Sequence, residues 1–312
     1  MKKYKVKRTK SKIKRSWQTI LLRWLLRIFL YGWAVTVIFP FVWMLSTSLK
    51  SSQEFMSGNV WNWPELMFLT NFTKAWEEAN VGAYTANTLF VTALSVVLYI
   101  LMLTTTAYIL GIYKFKFVRM VEWFYWVAMM IPGALLLVPL YFQVQSIGEV
   151  LQAVVRFFTG IPDLSFNITD NLVTLAVIYA VQGLPGGLFL LTGFVRGVDK
   201  SFLEAAKIDG AGEWHVFSKV VLPFIRPIVM FQCLTKFMGT WNEYLTALTF
   251  LESEDKYTLS VGIQKMITQF TYQSDYGAIF AGLLISIIPI FILYVLFQNV
   301  IQNGTDMSEG LK

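Results

Sequence analysis

FLEAAKIDGAGEWHVFSKVVLP, Phe202 to Pro223, is a polar stretch that holds the only histidine, His215, between two long hydrophobic runs. Its pattern is that of two short helices joined by a glycine turn. Ser201 and Glu204 have the spacing of a capping box, in which the serine oxygen accepts an orphan amide of the first turn and the glutamate reaches back to the cap's own amide. Gly210 suits the left-handed position that closes a helix, and Asp209 beside it can help to end it. Trp214, Phe217 and Val221 then recur at i, i+3 and i+7, which predicts a second short helix whose aromatic residues face away from the core, and Pro223 precedes the next hydrophobic run. Exposed aromatics of this kind mark a partner surface. His215 reads as a helix-surface residue.

The rest of the chain is oily. Of 312 residues, 56% are hydrophobic and 14% charged, against roughly 25% charged in an ordinary soluble domain. Apolar windows of about 20 residues, the length that crosses a bilayer core, occur near 28–49, 89–112, 121–141, 172–194, 225–250 and 277–298. The expected fold is an all-α integral membrane protein with one six-helix domain over 28–298, a basic N-terminal segment 1–27, a polar loop 195–223 and a tail 299–312.

Charge sets the orientation. Residues 1–27 carry eleven Lys or Arg and no acid. With this segment inside, 20 basic residues fall on the inner side and five in the outer loops, so the positive-inside rule puts both termini in the cytoplasm. The net charge of +7 comes from this one run, since the remainder has 15 bases against 19 acids. It reads as an orientation signal lying near anionic lipid headgroups rather than a nucleic-acid surface. A single cysteine, Cys233, excludes an internal disulfide and a Cys-based zinc site.

Catalytic sets are missing. One histidine leaves no His-based metal cluster, and GFVRGVDKS, Gly193 to Ser201, fails the spacing of a phosphate loop, whose backbone amides must wrap the phosphates. Nothing here predicts an enzyme.

Two further features bear on a solute path. The fifth apolar run holds Lys236, Asn242 and Glu243, which hydrocarbon tolerates only where they face protein or water. Lys236 and Glu243 are two turns apart, too far to pair unless another group bridges them. With Trp241 and Tyr244 they could line a pathway, amide and carboxylate meeting hydroxyls and rings meeting C–H faces, or satisfy one another against a second membrane subunit. Pro132, Pro139, Gly183-Leu-Pro185-Gly-Gly187 and Pro289 lie inside apolar runs, where they suit kinks beside cavities or plain packing bends. The outer segment Phe142–Asn171 carries Glu149, Asp163 and Asp170 against Arg156, and a helix candidate near 150–158. The other long outer segment, 51–86, is rich in Trp and acid.

The pattern E-A-A-x-x-D-G-A at Glu204–Ala211, followed eleven residues later by Leu222-Pro223, resembles the EAA loop of the permease subunits of bacterial ATP-binding-cassette importers. Leu188–Phe194 (LFLLTGF), Trp241–Tyr244 (WNEY) and Tyr257–Ile263 (YTLSVGI) are similar to the carbohydrate-importing branch, notably the smaller membrane subunit of maltose-type systems, over about residues 85–300. The resemblance implies a type I importer permease fold. It further implies that Ser201, Glu204, Ala205, Ala206, Asp209, Gly210, Ala211, Trp214, Phe217 and Pro223 form a coupling helix and its turn, seated in a cleft of an ATPase subunit. The implied partners are a second homologous permease, two ATPase subunits that hold ATP and Mg, and an extracytoplasmic solute-binding protein. The solute implied is a sugar, most simply an oligosaccharide, with a polar solute such as glycerol phosphate as the alternative. The tail keeps part of a glycine-rich character, with Gly304 and Gly310 as contacts. A gradient-driven transporter would show repeated halves or paired intramembrane acids, and the sequence shows neither.

Overall fold

The structure, a computed structural model, describes residues 17–58, 60–161 and 167–309. Most of the basic run, Asp163 and Gly310 lie outside these. Six helices are long and apolar enough to cross a membrane. In chain order the elements used below are α1 (Trp17–Ser48), α2 (Val81–Ile112), α3 (Val118–Met130), α4 (Gly133–Thr159), α5 (Leu172–Arg196), α6 (Lys200–Ile208), α7 (Leu222–Trp241), α8 (Leu245–Phe250), α9 (Leu259–Tyr272) and α10 (Tyr276–Glu309).

Two of the expected spans are broken. The apolar run over 121–141 is interrupted at Ile131-Pro132, leaving the shorter α3 and the membrane-length α4. A residue before proline is pushed out of the α region, and Ile131 is extended (φ −89°, ψ 119°). α4 then runs through Pro139 to Thr159, so the helix expected at 150–158 is simply its last turns. The run over 225–250 is interrupted at Asn242–Tyr244, which separates α7 from the six-residue α8. Helix α10 continues through the tail to Glu309.

The densest packing is between α2 and α5. Tyr99, Leu103 and Ala107 interleave with Leu188, Leu191 and Val195. Gly187 is what lets the two backbones come together, because a Cβ there would stand 2.1 Å from Tyr99 Oη and 2.9 Å from Leu103 Cδ1. A second core joins α9 and α10 to Tyr84 and Trp241, and a third gathers Val91, Tyr179, Ala247 and Phe250. Helix α1 contacts mainly α10 and leaves nearly all its apolar surface outward.

Because the spans are even in number, Trp17 and Glu309 lie at the same end of the bundle as the loop 197–221. The opposite end is tied by two acidic clamps. Asp170, before α5, accepts from the amides of Glu252 (3.0 Å) and Ser253, from the Ser253 hydroxyl and from Lys256 Nζ (2.7 Å). Asp275, before α10, accepts from Ser52 Oγ (2.9 Å) and Lys74 Nζ (2.7 Å), anchoring the segment between α1 and α2.

Candidate functional site: the polar loop and the broken-helix cavity

The loop begins with a cap that the sequence pattern mislocates. Asp199, not Ser201, is the N-cap of α6: its carboxylate accepts from the Ser201 amide at 2.9 Å. An ionised carboxylate is a stronger acceptor for orphan amides than a hydroxyl, and it complements the positive end of the helix. Ser201 is therefore inside the first turn and no capping box forms with Glu204. That leaves Glu204 exposed on the helix surface.

The C-terminus follows expectation. Gly210 has φ +80°, Asp209 occupies the C-cap position, Gly210 N donates to Lys207 O (3.1 Å) and Ala211 N to Ala206 O (2.9 Å). These are the two bonds of a Schellman closure, and Ala206 and Ala211 supply its apolar contact against the core.

Helix α6 has two faces of different character. Leu203, 8% exposed, inserts into the cluster of Tyr108, Val195, Val198, Val216 and Phe217. Away from the bundle, Phe202 (60% exposed), Ile208 (86%) and Trp214 (74%) present apolar surface at the loop end, with Ala205 exposed among them. The expectation that Phe217 shares this outward face is corrected. A short helical turn at Glu213–His215 passes into a wider π-helical turn over Val216–Val221, which rotates Phe217 and Val221 inward, where Phe217 packs against Tyr108 with ring centroids 5.2 Å apart. Pro223 sits in the first turn of α7, where its missing N–H costs nothing. His215 is on the surface, as expected.

Polar links stiffen the mounting. Glu213 accepts from Tyr108 Oη on α2 at 2.8 Å and pairs with Lys207 of α6 at 3.2 Å. Arg196, at the end of α5, pairs with Glu122 on α3 and reaches the Leu110 carbonyl. Neither Tyr108 nor Asp199 was found by sequence reasoning. The Asp-Lys-Ser order ahead of the helix was the available signal for Asp199.

Deeper in the bundle, the pair expected to need a bridge has one. Lys236 Nζ donates to the Tyr179 carbonyl and lies 5.5 Å from the centre of the Tyr99 ring. The Tyr179 hydroxyl donates to Glu243. Glu243 also accepts from the amides of Thr246 (2.8 Å) and Ala247 (3.2 Å), so its carboxylate caps α8 and fixes the break between α7 and α8. Trp241 does not face this region. It is 3% exposed, stacks on Phe237 and donates to the Ser286 carbonyl (3.3 Å), which makes it a core residue. Asn242 is exposed and donates to Met238 O (2.9 Å), and Tyr244 is half-buried against the third core.

The breaks in α3–α4 and α7–α8 meet at one cavity of about 660 Å³. Its wall includes Pro139 and Gln143 of α4, Gln182, Pro185 and Gly186 of α5, and Glu243 and Thr246. Prolines inside a span free backbone carbonyls that a cavity can satisfy. Gln143 and Gln182 were not singled out from the sequence, because a lone glutamine in an apolar run carries no spacing signal. Among the described residues no cluster of three or more His, Cys, Asp or Glu could hold a metal ion.

Six membrane-length helices, two chain breaks that meet at a largely apolar cavity with a few polar groups, and a capped amphipathic helix at one end fit a membrane permease subunit. The family described as binding-protein-dependent transport system inner membrane component matches residues 103–306, and this chain belongs to that family. It is accordingly a non-catalytic permease subunit of the ATP-binding-cassette importer type. The chain is 31% identical to the diacetylchitobiose uptake system permease protein NgcG of Streptomyces coelicolor, over 89% of this chain and 85% of that one. It is 28% identical to the arabinooligosaccharides transport system permease protein AraQ of Halalkalibacterium halodurans, over 94% and 97%. In fold it is similar to a chain of a bacterial ABC transporter involved in import of the acidic polysaccharide alginate, with a TM-score of 0.76, 20% identity and coverage of 91% and 98%.

Proposed function

We propose that this chain forms half of the translocation pathway of an ATP-driven oligosaccharide importer and receives the power stroke through α6. The single observation that carries the reading is the two-faced α6. It is closed at both ends and pinned to the bundle by Leu203 and the Lys207–Glu213–Tyr108 chain, its Phe202 and Ile208 face outward together with Trp214 of the next turn, and the exposed Glu204 stands at the hollow against α2 and α5. A short rigid helix with an apolar outer face needs a partner to cover it, and motion imposed on it passes to α2, α5 and α7 through a continuous core.

On this reading residues 199–211 seat in a cleft of one ATPase subunit, a second permease completes the pathway, and a solute-binding protein docks at the clamped end held by Asp170 and Asp275. ATP and Mg belong to the ATPase subunits. The termini and α6 lie in the cytoplasm, in keeping with the basic run before Trp17. The solutes named for the relatives, diacetylchitobiose and arabinooligosaccharides, support an oligosaccharide.

The test is uptake into proteoliposomes containing the complete importer and its binding protein. Accumulation of a labelled di- to pentasaccharide that requires internal ATP, and that falls at least ten-fold in the Phe202→Asp, Trp214→Asp variant, is the expected result. Uptake indifferent to ATP would refute the proposal.

A further inference from the structure

We infer that the cavity between α4, α5 and α8 is a sugar subsite of this subunit's own, built for an uncharged glycan unit and selecting against acidic ones. The inference rests on the oligosaccharide reading above and adds to it a site and a chemical class.

Gln143 and Gln182 carry it. Each is the eleventh residue of its helix, in α4 and α5, well inside an apolar span. Both side chains are exposed and line the cavity, and neither amide makes a hydrogen bond within the chain among the described residues. An unsatisfied amide at membrane depth is costly unless it meets water or a polar ligand. Each amide offers both donors and an acceptor, which is what a sugar hydroxyl, itself donor and acceptor, requires. Pro185 adds an acceptor, because it has no N–H to offer the carbonyl of Val181, which also lines the cavity. Opposite chemistry is present in Met129, Leu136, Leu137, Leu140 and Leu245, an apolar surface for the C–H face of a ring. A volume of about 660 Å³ falls within the roughly 300–1,000 Å³ of small-molecule sites.

The charge in the wall decides the class. Among the described residues, Glu243 is the only ionisable one lining the cavity. Lys236 of α7, seven residues before Glu243, is bound to the Tyr179 carbonyl and the Tyr99 face and does not line it. A uronate would bring its carboxylate toward another carboxylate with no Arg or Lys in the wall, an unfavourable meeting at low dielectric. A neutral hexose or an N-acetylated one brings no charge against the Glu243 carboxylate, and its hydroxyls meet the Gln143 and Gln182 amides and the Thr246 hydroxyl.

The experiment uses the whole importer in proteoliposomes, with neutral and uronate-containing oligosaccharides of equal length as probes, for the unmodified chain and for Gln143→Leu, Gln182→Leu and Gln182→Glu. We expect uptake of the neutral series alone, a KM about ten-fold higher in each Leu variant from loss of an amide–hydroxyl pair, and a similar loss in Gln182→Glu, which keeps size but not the donors. Subunit composition is checked by size-exclusion chromatography. Uronates carried as well as neutral sugars, or KM unchanged in all three variants, would overturn the subsite while leaving the importer reading intact. Loss of the second permease from the Leu variants would overturn it too, by showing that the amides serve that interface. Transport of neither series removes the oligosaccharide reading and the subsite together.

Discussion

Replacing Leu203 with Ala separates the two faces of α6. Leu203 is the residue that pins this nine-residue helix, and at 8% exposure it loses nearly all its burial on truncation. Leu→Ala in a core costs about 2–5 kcal/mol, the upper part of that range coming from the cavity left behind. Here a hollow of about 200 Å³ already lies beside Leu203, lined also by Tyr108, Val195 and Val216, so the deletion extends existing space rather than opening a sealed void. The low end, ~2 kcal/mol, is therefore expected, a factor of about 30 in the local opening equilibrium. Hydrogen exchange followed by mass spectrometry on the purified chain reads this directly: amides of 203–208 exchange about 30-fold faster in Leu203→Ala and the α2 and α5 peptides are unaffected. In Phe202→Ala, whose side chain is 60% exposed, exchange stays at the unmodified rate in the isolated chain. Exchange within two-fold of the original for Leu203→Ala would refute the pinned-lever reasoning.

Three other outcomes follow from the same geometry. Glu204 has no capping role, so Glu204→Gln and Glu204→Ala should lower ATP-driven uptake equally; a harmless Gln with a damaging Ala would restore the cap. Burial raises the Asp170 carboxyl, but Lys256, the Ser253 hydroxyl and the Glu252 and Ser253 amides outweigh it and hold it down to about 2. A depressed carboxyl contributes stability that is complete above the unfolded value near 4 and lost as pH falls through about 2. Thermal melting should thus weaken between about pH 4 and 2, and Asp170→Asn should flatten that window; an identical pH profile in the variant would contradict the clamp. Gly187→Ala should lower the melting temperature because its Cβ meets Tyr99 Oη at 2.1 Å, and Tyr99→Phe should restore part of the loss, since the next ring atom stands at 3.0 Å. A Gly187→Ala protein as stable as the original would show that α2 and α5 can part without cost.

Much of this was legible beforehand, and the exceptions share physical causes. Six apolar runs, the Gly210 closure and the need for a bridge between Lys236 and Glu243 follow from length, backbone freedom and valence, which are local properties. The cap went to Ser201 because a capping-box match ignores a better acceptor two residues upstream, Asp199. A 3.6-residue period through Val216–Val221 would put Phe217 outward, and the π-helical turn there changes the phase. Trp241 was grouped with its neighbours along the chain, yet the end of α7 turns it toward Phe237 and α10 while Glu243 turns toward Tyr179. Gln143 and Gln182 acquire meaning only when two broken spans bring them to one cavity, which no single window of sequence contains.

The most direct measurement is to purify the chain from its native membrane in mild detergent and identify by mass spectrometry what accompanies it, with and without the Phe202→Asp, Trp214→Asp double substitution on the outer face of the loop. The account predicts that an ATPase subunit and a second permease co-purify with the unmodified chain, and that the substitution removes the ATPase while the second permease stays. A chain that purifies without an ATPase, or one that keeps it after the outer face is charged, would contradict the claim that α6 is where this permease meets its motor.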